Sequence, residues 1–153
     1  MTEAQPGVRE LVITRTFRAP RERLWRAWTE PTVLARWLHP KSLRTDPQSV
    51  AVDLRVGGGY RFTMIDDDGS AYESSGEYLE LQHPELIRCS WGAPGEPVAE
   101  LEVRLIDLGA RETEMTFCLR GRADDSNRND SVWAGWREAL EELAMEIEGE
   151  TNG

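Results

Sequence analysis

Two histidines, two cysteines and six tryptophans are the residues of this 153-residue chain whose side chains could do chemistry or seat a ligand. His39 and His83 each precede a proline and stand far apart in the chain. No HExxH, CxxC or Cys/His cluster accompanies them, so the spacing offers no zinc site. Nor does spacing assemble a Ser-His-Asp or Cys-His set that would activate a nucleophile. His83 reads as a turn residue, whereas His39 is placed to touch a ligand. Gly57-Gly58-Gly59 lacks the Lys-Ser/Thr that follows a phosphate-binding loop, and it lies between two strands, so it reads as a tight turn. Asp66-Asp67-Asp68-Gly69 lacks the alternating ligands and distal Glu of an EF-hand and reads as a solvated turn. No catalytic residue, metal or cofactor is assigned.

What remains is apolar recognition. A tryptophan carries a large ring and an N–H that wants a partner, which suits the wall of a ligand cavity. Trp25, Trp28 and Trp37 fall on short helical segments, Trp91 ends a strand, and Trp133 and Trp136 open a long helix. The ligand-binding candidates are Trp37, His39, Tyr60, Phe62, Met64, Trp91, Phe117, Trp133, Trp136 and Leu140.

The elements that must position these residues follow from periodicity. A first strand spans roughly 8–18 and stops at Ala19-Pro20, since proline donates no ladder hydrogen bond but suits a helix start. Leu24, Trp25 and Trp28 mark one face of a short helix to about Thr29. Pro31 opens a second helix, with Val33, Leu34 and Trp37 on one side, which ends at His39-Pro40. From 48 to 120 the period becomes 2, predicting strands near 50–54, 60–64, 71–81, 86–91, 98–106 and 112–119, joined by short turns as an antiparallel meander. After a loop over 121–129, Trp133, Trp136, Leu140, Leu143 and Ile147 recur at 3, 4, 3 and 4, predicting a helix over about 131–148. This order describes an α+β, helix-grip fold: a curved antiparallel β-sheet around a long C-terminal α-helix, with two short helices after the first strand. A helix cannot touch a concave sheet along its whole length, so the gap is a natural cavity. One domain is expected over 8–148, with frayed termini at 1–7 and 149–153.

Charge and composition narrow the partners. The net charge of −10 argues against nucleic acid, and no apolar run is long enough to span a membrane. Residues 1–7 do not resemble a secretory signal, so a cytoplasmic location is expected. Residues 1–44 carry net +5 and residues 45–153 net −15. The acids at the C-terminal end of the long helix oppose its macrodipole, so basic residues of the 9–44 segment should lie near them, either within the molecule or from a second copy in a homodimer. Cys89 and Cys118 have opposite inward parity and an intervening strand between them, so both are expected as free thiols.

Several separated motifs resemble one family. Phe17-Arg18-Ala19-Pro20 with Trp25-Arg26-Ala27-Trp28-Thr29-Glu30-Pro31 looks like its opening, followed by Ala35-Arg36-Trp37, Asp53-Leu54-Arg55-Val56-Gly57-Gly58, Gly76-Glu77-Tyr78-Leu79-Glu80, Pro84-Glu85-Leu86-Ile87 and Gly135-Trp136. Together they are similar to the bacterial single-domain relatives of the activator of heat-shock protein 90 ATPase, within the START-like (SRPBCC, Bet v-like) superfamily. The chain departs from that pattern at Leu38-His39-Pro40, where relatives often carry Trp-Gly-Pro, and in the acidic loop Asp124-Asp125-Ser126-Asn127. The resemblance implies a START-like helix-grip fold. For function it implies three readings: a binder of a small apolar, aromatic or lipid-like molecule, a co-chaperone or stress-response protein acting by protein contact, and a polyketide cyclase or aromatase-like enzyme or drug-sequestering resistance protein. The apolar candidate residues favour the non-enzymatic binder.

Overall fold

In the computed structural model, residues 8–92, 99–122 and 127–149 are described, with side chains placed for 10–92, 99–121 and 134–148. Strand β1 (Val8–Phe17) leads into helices α1 (Arg21–Thr29) and α2 (Pro31–Trp37). Short strands β2 (Arg44–Thr45) and β3 (Ala51–Val52) flank a single 3-10 turn at Pro47–Ser49. Strands β4 (Gly59–Ile65), β5 (Ala71–Gln82), β6 (Leu86–Trp91), β7 (Ala99–Gly109) and β8 (Glu112–Arg122) follow, then helix α3 (Asn127–Gly149). The strands form one antiparallel sheet in the order β1-β8-β7-β6-β5-β4-β2, with β3 also paired to β4. This is the expected helix-grip order.

The register explains why the sheet has one apolar face. Leu11 lies opposite Leu119, Leu119 opposite Leu101, Leu101 opposite Cys89 and Cys89 opposite Tyr78, giving one inward row across five strands. Ile13, Phe117, Val103 and Ile87 form the next row. Outside the bulge between Tyr78 and Glu80 in β5, period 2 puts every second residue of a strand on this face, and most of the buried strand residues lie there. Tyr78 is buried while Leu79 is exposed, which sets the inward face of β5. Trp136, Leu140, Leu143 and Ile147 of α3 close over these rows, together with Leu24, Trp25 and Trp28 of α1.

Two boundaries differ from the periodicity. Helix α3 begins at Asn127, because Asn127, Asn129 and Asp130 carry no apolar signal yet suit a helix N-terminus. Strand β2 is only two residues long and shows no period. The termini 1–7, the last residues 150–153 and the acidic positions 124–126 lie outside the described residues.

The β7–β8 hairpin turns through Ala110 and Arg111, with φ of 54° and 62°. Such a two-residue turn suits the strand twist but normally takes Asn-Gly, since a Cβ is crowded in the left-handed region. Arg111→Gly is expected to raise stability by about 1 kcal/mol and the melting temperature by about 3 °C. Thermal unfolding followed by circular dichroism checks this, and an unchanged or lower midpoint contradicts it.

Candidate functional site

A hollow of about 400 Å³ opens between the middle of α3 and the β4 side of the sheet. The residues after α2 supply Leu38, His39, Pro40 and Leu43, while β4 supplies Phe62 and Met64 at alternate positions of one face. Tyr72 stands opposite Met64 in the β4–β5 register. Trp91 closes one end, and Gly135, Trp136 and Ala139 of α3 form the roof at helical spacing. Strand β2 and a buried hydrogen bond from Thr45 Oγ1 to the Leu38 carbonyl hold the chain after α2 against this hollow.

Deeper in lies a chamber of about 30 Å³ that shares Leu38, Phe62, Trp91 and Trp136 with the outer hollow. Its further wall includes Trp28, Tyr60, Tyr78 and Cys89. Trp136 stands between two other indoles, stacked on Trp28 at 6.4 Å and edge-on to Trp91 at 5.5 Å between ring centroids.

The polar groups of the wall are mostly committed. The ring nitrogens of His39 lie near two backbone carbonyls, Nδ1 2.8 Å from that of Pro40 and Nε2 3.3 Å from that of Arg36, and a neutral imidazole donates to only one of them. The imidazole borders the hollow. Tyr60 donates its hydroxyl to the Ser90 carbonyl at 2.8 Å, and Tyr72 donates to Asp66 Oδ2 at 2.9 Å on the exposed rim. The indole N–H groups of Trp28 and Trp91 are the exceptions: both are buried, and neither meets an acceptor among the described residues.

Of the ten candidates, His39, Phe62, Met64, Trp91 and Trp136 line the outer hollow and Tyr60 lines the chamber. Three belong to the core instead. Trp37 is fully buried and donates its indole N–H to the Ala27 carbonyl at 2.8 Å. Phe117 packs against Trp28 and Trp136, and Leu140 faces the sheet's inner rows. The side chain of Trp133 lies outside the described residues. Leu43, Tyr72, Gly135 and Ala139 escaped sequence reasoning, although Ala139 sits three residues after Trp136 and Tyr72 pairs with Met64 across a short turn. Trp28 escaped it too, because an apolar helix face does not reveal which indole lacks a partner.

Burial around the chamber has a pH consequence. It pushes the Cys89 thiol up to about 12 from an ordinary value near 9, and it raises the Tyr60 and Tyr78 phenols as well. The folded state therefore keeps protons that the unfolded state releases first. The stability these groups contribute is whole below about pH 9 and is lost as pH rises toward 12. Urea unfolding at a series of alkaline pH values should show a midpoint that falls steadily above about pH 9. In the native protein at neutral pH, an alkylating reagent should spare Cys89. Rapid labelling of Cys89 without unfolding would contradict its burial. Cys118 lies on the other face, its thiol against Glu10 Oε2 at 3.4 Å, with β7 between the strands of the two cysteines.

The acidic end of α3 finds its counter-charges within the same chain. Arg36 pairs with Glu146 at 3.0 Å, Lys41 with Glu141 at 3.2 Å, and Arg23 donates to the Glu146 carbonyl at 3.3 Å. The basic 9–44 segment thus places counter-charges against the acidic part of this helix within the molecule.

Sheet topology, gripped helix and hollow define a START-like helix-grip protein, a fold of the ligand-binding and polyketide cyclase-like type. The family model described as activator of Hsp90 ATPase homolog 1-like protein matches residues 18–148, and the chain belongs to that family. Protein CV1439 from Chromobacterium violaceum is 27% identical, with a TM-score of 0.80 over 91% of this chain and 96% of that one. CalU16 from Micromonospora echinospora is 26% identical, with a TM-score of 0.66 over 94% of this chain and 79% of its own. SA2116 from Staphylococcus aureus, a protein of unknown function, shares the fold at 20% identity and a TM-score of 0.80, over 95% of this chain and 97% of that one. No curated protein is significantly similar to the chain. Among the described residues, no helix is long and apolar enough to cross a membrane.

Proposed function

We propose that this protein binds a small, mainly apolar molecule, aromatic or lipid-like, in the hollow between α3 and β4 without transforming it. The observation that carries this reading is the wall itself: about 400 Å³ of space bounded by Leu38, Phe62, Met64, Trp91 and Trp136, in the size range of small-molecule sites. A core would fill such a space at high density, since an unfilled apolar hollow forfeits contacts on every side. Burial of roughly 250 Å² of apolar ligand surface supplies about 6 kcal/mol before association costs. The apolar wall and the committed hydroxyl of Tyr60 support binding over acid–base chemistry.

Gly135 provides a clean test. A Cβ there would meet Pro40 only at ordinary distances, 3.7 and 3.8 Å. Gly135→Leu therefore fits the helix, improves its propensity by about 0.8 kcal/mol, and extends into the hollow. Native protein should bind an environment-sensitive naphthalene dye saturably, and Gly135→Leu should weaken that binding at least about tenfold without lowering the melting temperature. Absence of saturable dye binding by the native protein would refute the reading and leave action by protein contact in its place.

A further inference from the structure

We infer that the ligand carries a hydrogen-bond acceptor, a carbonyl-type oxygen, at its deep end, and that the acceptor enters the inner chamber and takes the Trp91 indole N–H. This rests on the binding reading above and specifies the chemistry of what is bound. Trp91 is the pivot because it lines both the outer hollow and the chamber, so a molecule seated in the first reaches it on the way to the second. Its Nε1–H is buried and without an acceptor among the described residues. Trp28, whose Nε1–H is a second orphan of the same kind, is a residue of the chamber's further wall.

Buried donors are nearly always paired, because leaving one unmade costs its full desolvation. Two unmade donors on residues around one small chamber are therefore a complementary feature more than a packing accident. The neighbouring polar groups do not serve them. Tyr60 spends its hydroxyl on the Ser90 carbonyl, and the Cys89 thiol, a weak acceptor, stays protonated in this apolar setting. The chamber's volume of about 30 Å³ accommodates one oxygen-sized group, not a ring. An apolar body in the outer hollow with one oxygen projecting inward matches both spaces. A carboxylate does not match, since no cationic side chain among the described residues lines the chamber.

An isosteric pair of probes tests this. 2-Acetylnaphthalene and 2-isopropenylnaphthalene share size and shape, but only the first offers an oxygen. Calorimetry or tryptophan quenching should show the acetyl compound binding about tenfold more tightly. Trp91→Phe, with its fold checked by circular dichroism, should bring the ratio of the two affinities to about one, whatever apolar contact both compounds lose with the smaller ring. In the native complex, the carbonyl stretch of bound 2-acetylnaphthalene should lie below its position in an apolar solvent, which needs no variant. Equal affinities in the native protein, an unshifted carbonyl band, or a preference that survives Trp91→Phe would overturn the inference while the binding reading stands. Failure of both probes to bind would overturn the binding reading itself.

Discussion

Gly76→Ala is expected to lower stability by about 3 kcal/mol or more and to move the melting temperature down by about 10 °C. A Cβ at Gly76 would fall 1.8 Å from the Ser90 carbonyl oxygen and 2.7 Å from both Cε1 and the hydroxyl of Tyr60. Tyr60 is the cross-strand partner of Gly76, and its ring lies over the glycine so that its hydroxyl can reach Ser90. The backbone bridge between Ser75 and Gly92 fixes the other side. The Ser90 carbonyl is backbone and cannot swing aside, so β5 and β6 must separate and the Tyr60 ring must move off its bond to Ser90. Trp91, one residue beyond Ser90, would shift with them, and ligand affinity should fall along with stability. Gly121→Ala is the control, because its Cβ would meet only Ala99, the β-carbon at 3.2 Å and the α-carbon at 3.8 Å. Denaturant unfolding of both variants decides the matter; equal costs would show that the Gly76 approach is not restrictive.

The second large effect is at Trp37. The side chain is fully buried, edge-on to Trp28 at 4.7 Å, and its N–H reaches the Ala27 carbonyl. Ala27 sits in the last turn of α1, where carbonyls have no partner within the helix. A side chain from α2 thus caps α1 and fixes the corner between the two helices. Trp37→Ala should cost about 3–5 kcal/mol, and Trp37→Phe about 1–3 kcal/mol for the carbonyl left unmet. Because Trp37 does not line the hollow, the folded Phe variant should keep its dye affinity. A Trp37→Phe protein of native stability but reduced affinity would place this residue in the site after all.

Those two residues also show what could be read before the structure. Strand β6 was legible at both ends because Leu86–Trp91 alternates between firm breaks, the turn at His83-Pro84 and the glycine-proline segment after Trp91. The gripped helix was legible from its stripe alone. The site was harder, since period fixes which face a residue occupies but not whether that face meets another side chain or a gap. Trp37, Phe117 and Leu140 share the inward face with Phe62 and Trp136, yet only the latter pair borders the hollow. Small residues such as Gly135 and Ala139 carry no such signal, although they are what leaves room at the roof. The unmet indoles of Trp28 and Trp91 are likewise a property of three-dimensional neighbours.

The pairing of β1 with β8 has a consequence for how the chain is made. Each residue of β1 meets a partner in β8 that lies on the order of a hundred positions later, from Val8 opposite Arg122 to Phe17 opposite Thr113. At about 5–20 residues per second, a ribosome delivers β8 roughly 5–20 s after β1. Throughout that interval Leu11, Ile13 and Phe17 have no sheet to join, while β4 through β7 can already pair with their immediate neighbours. Closure of the β1 edge, and with it the seat for α1 and α3, is therefore a late event in biosynthesis.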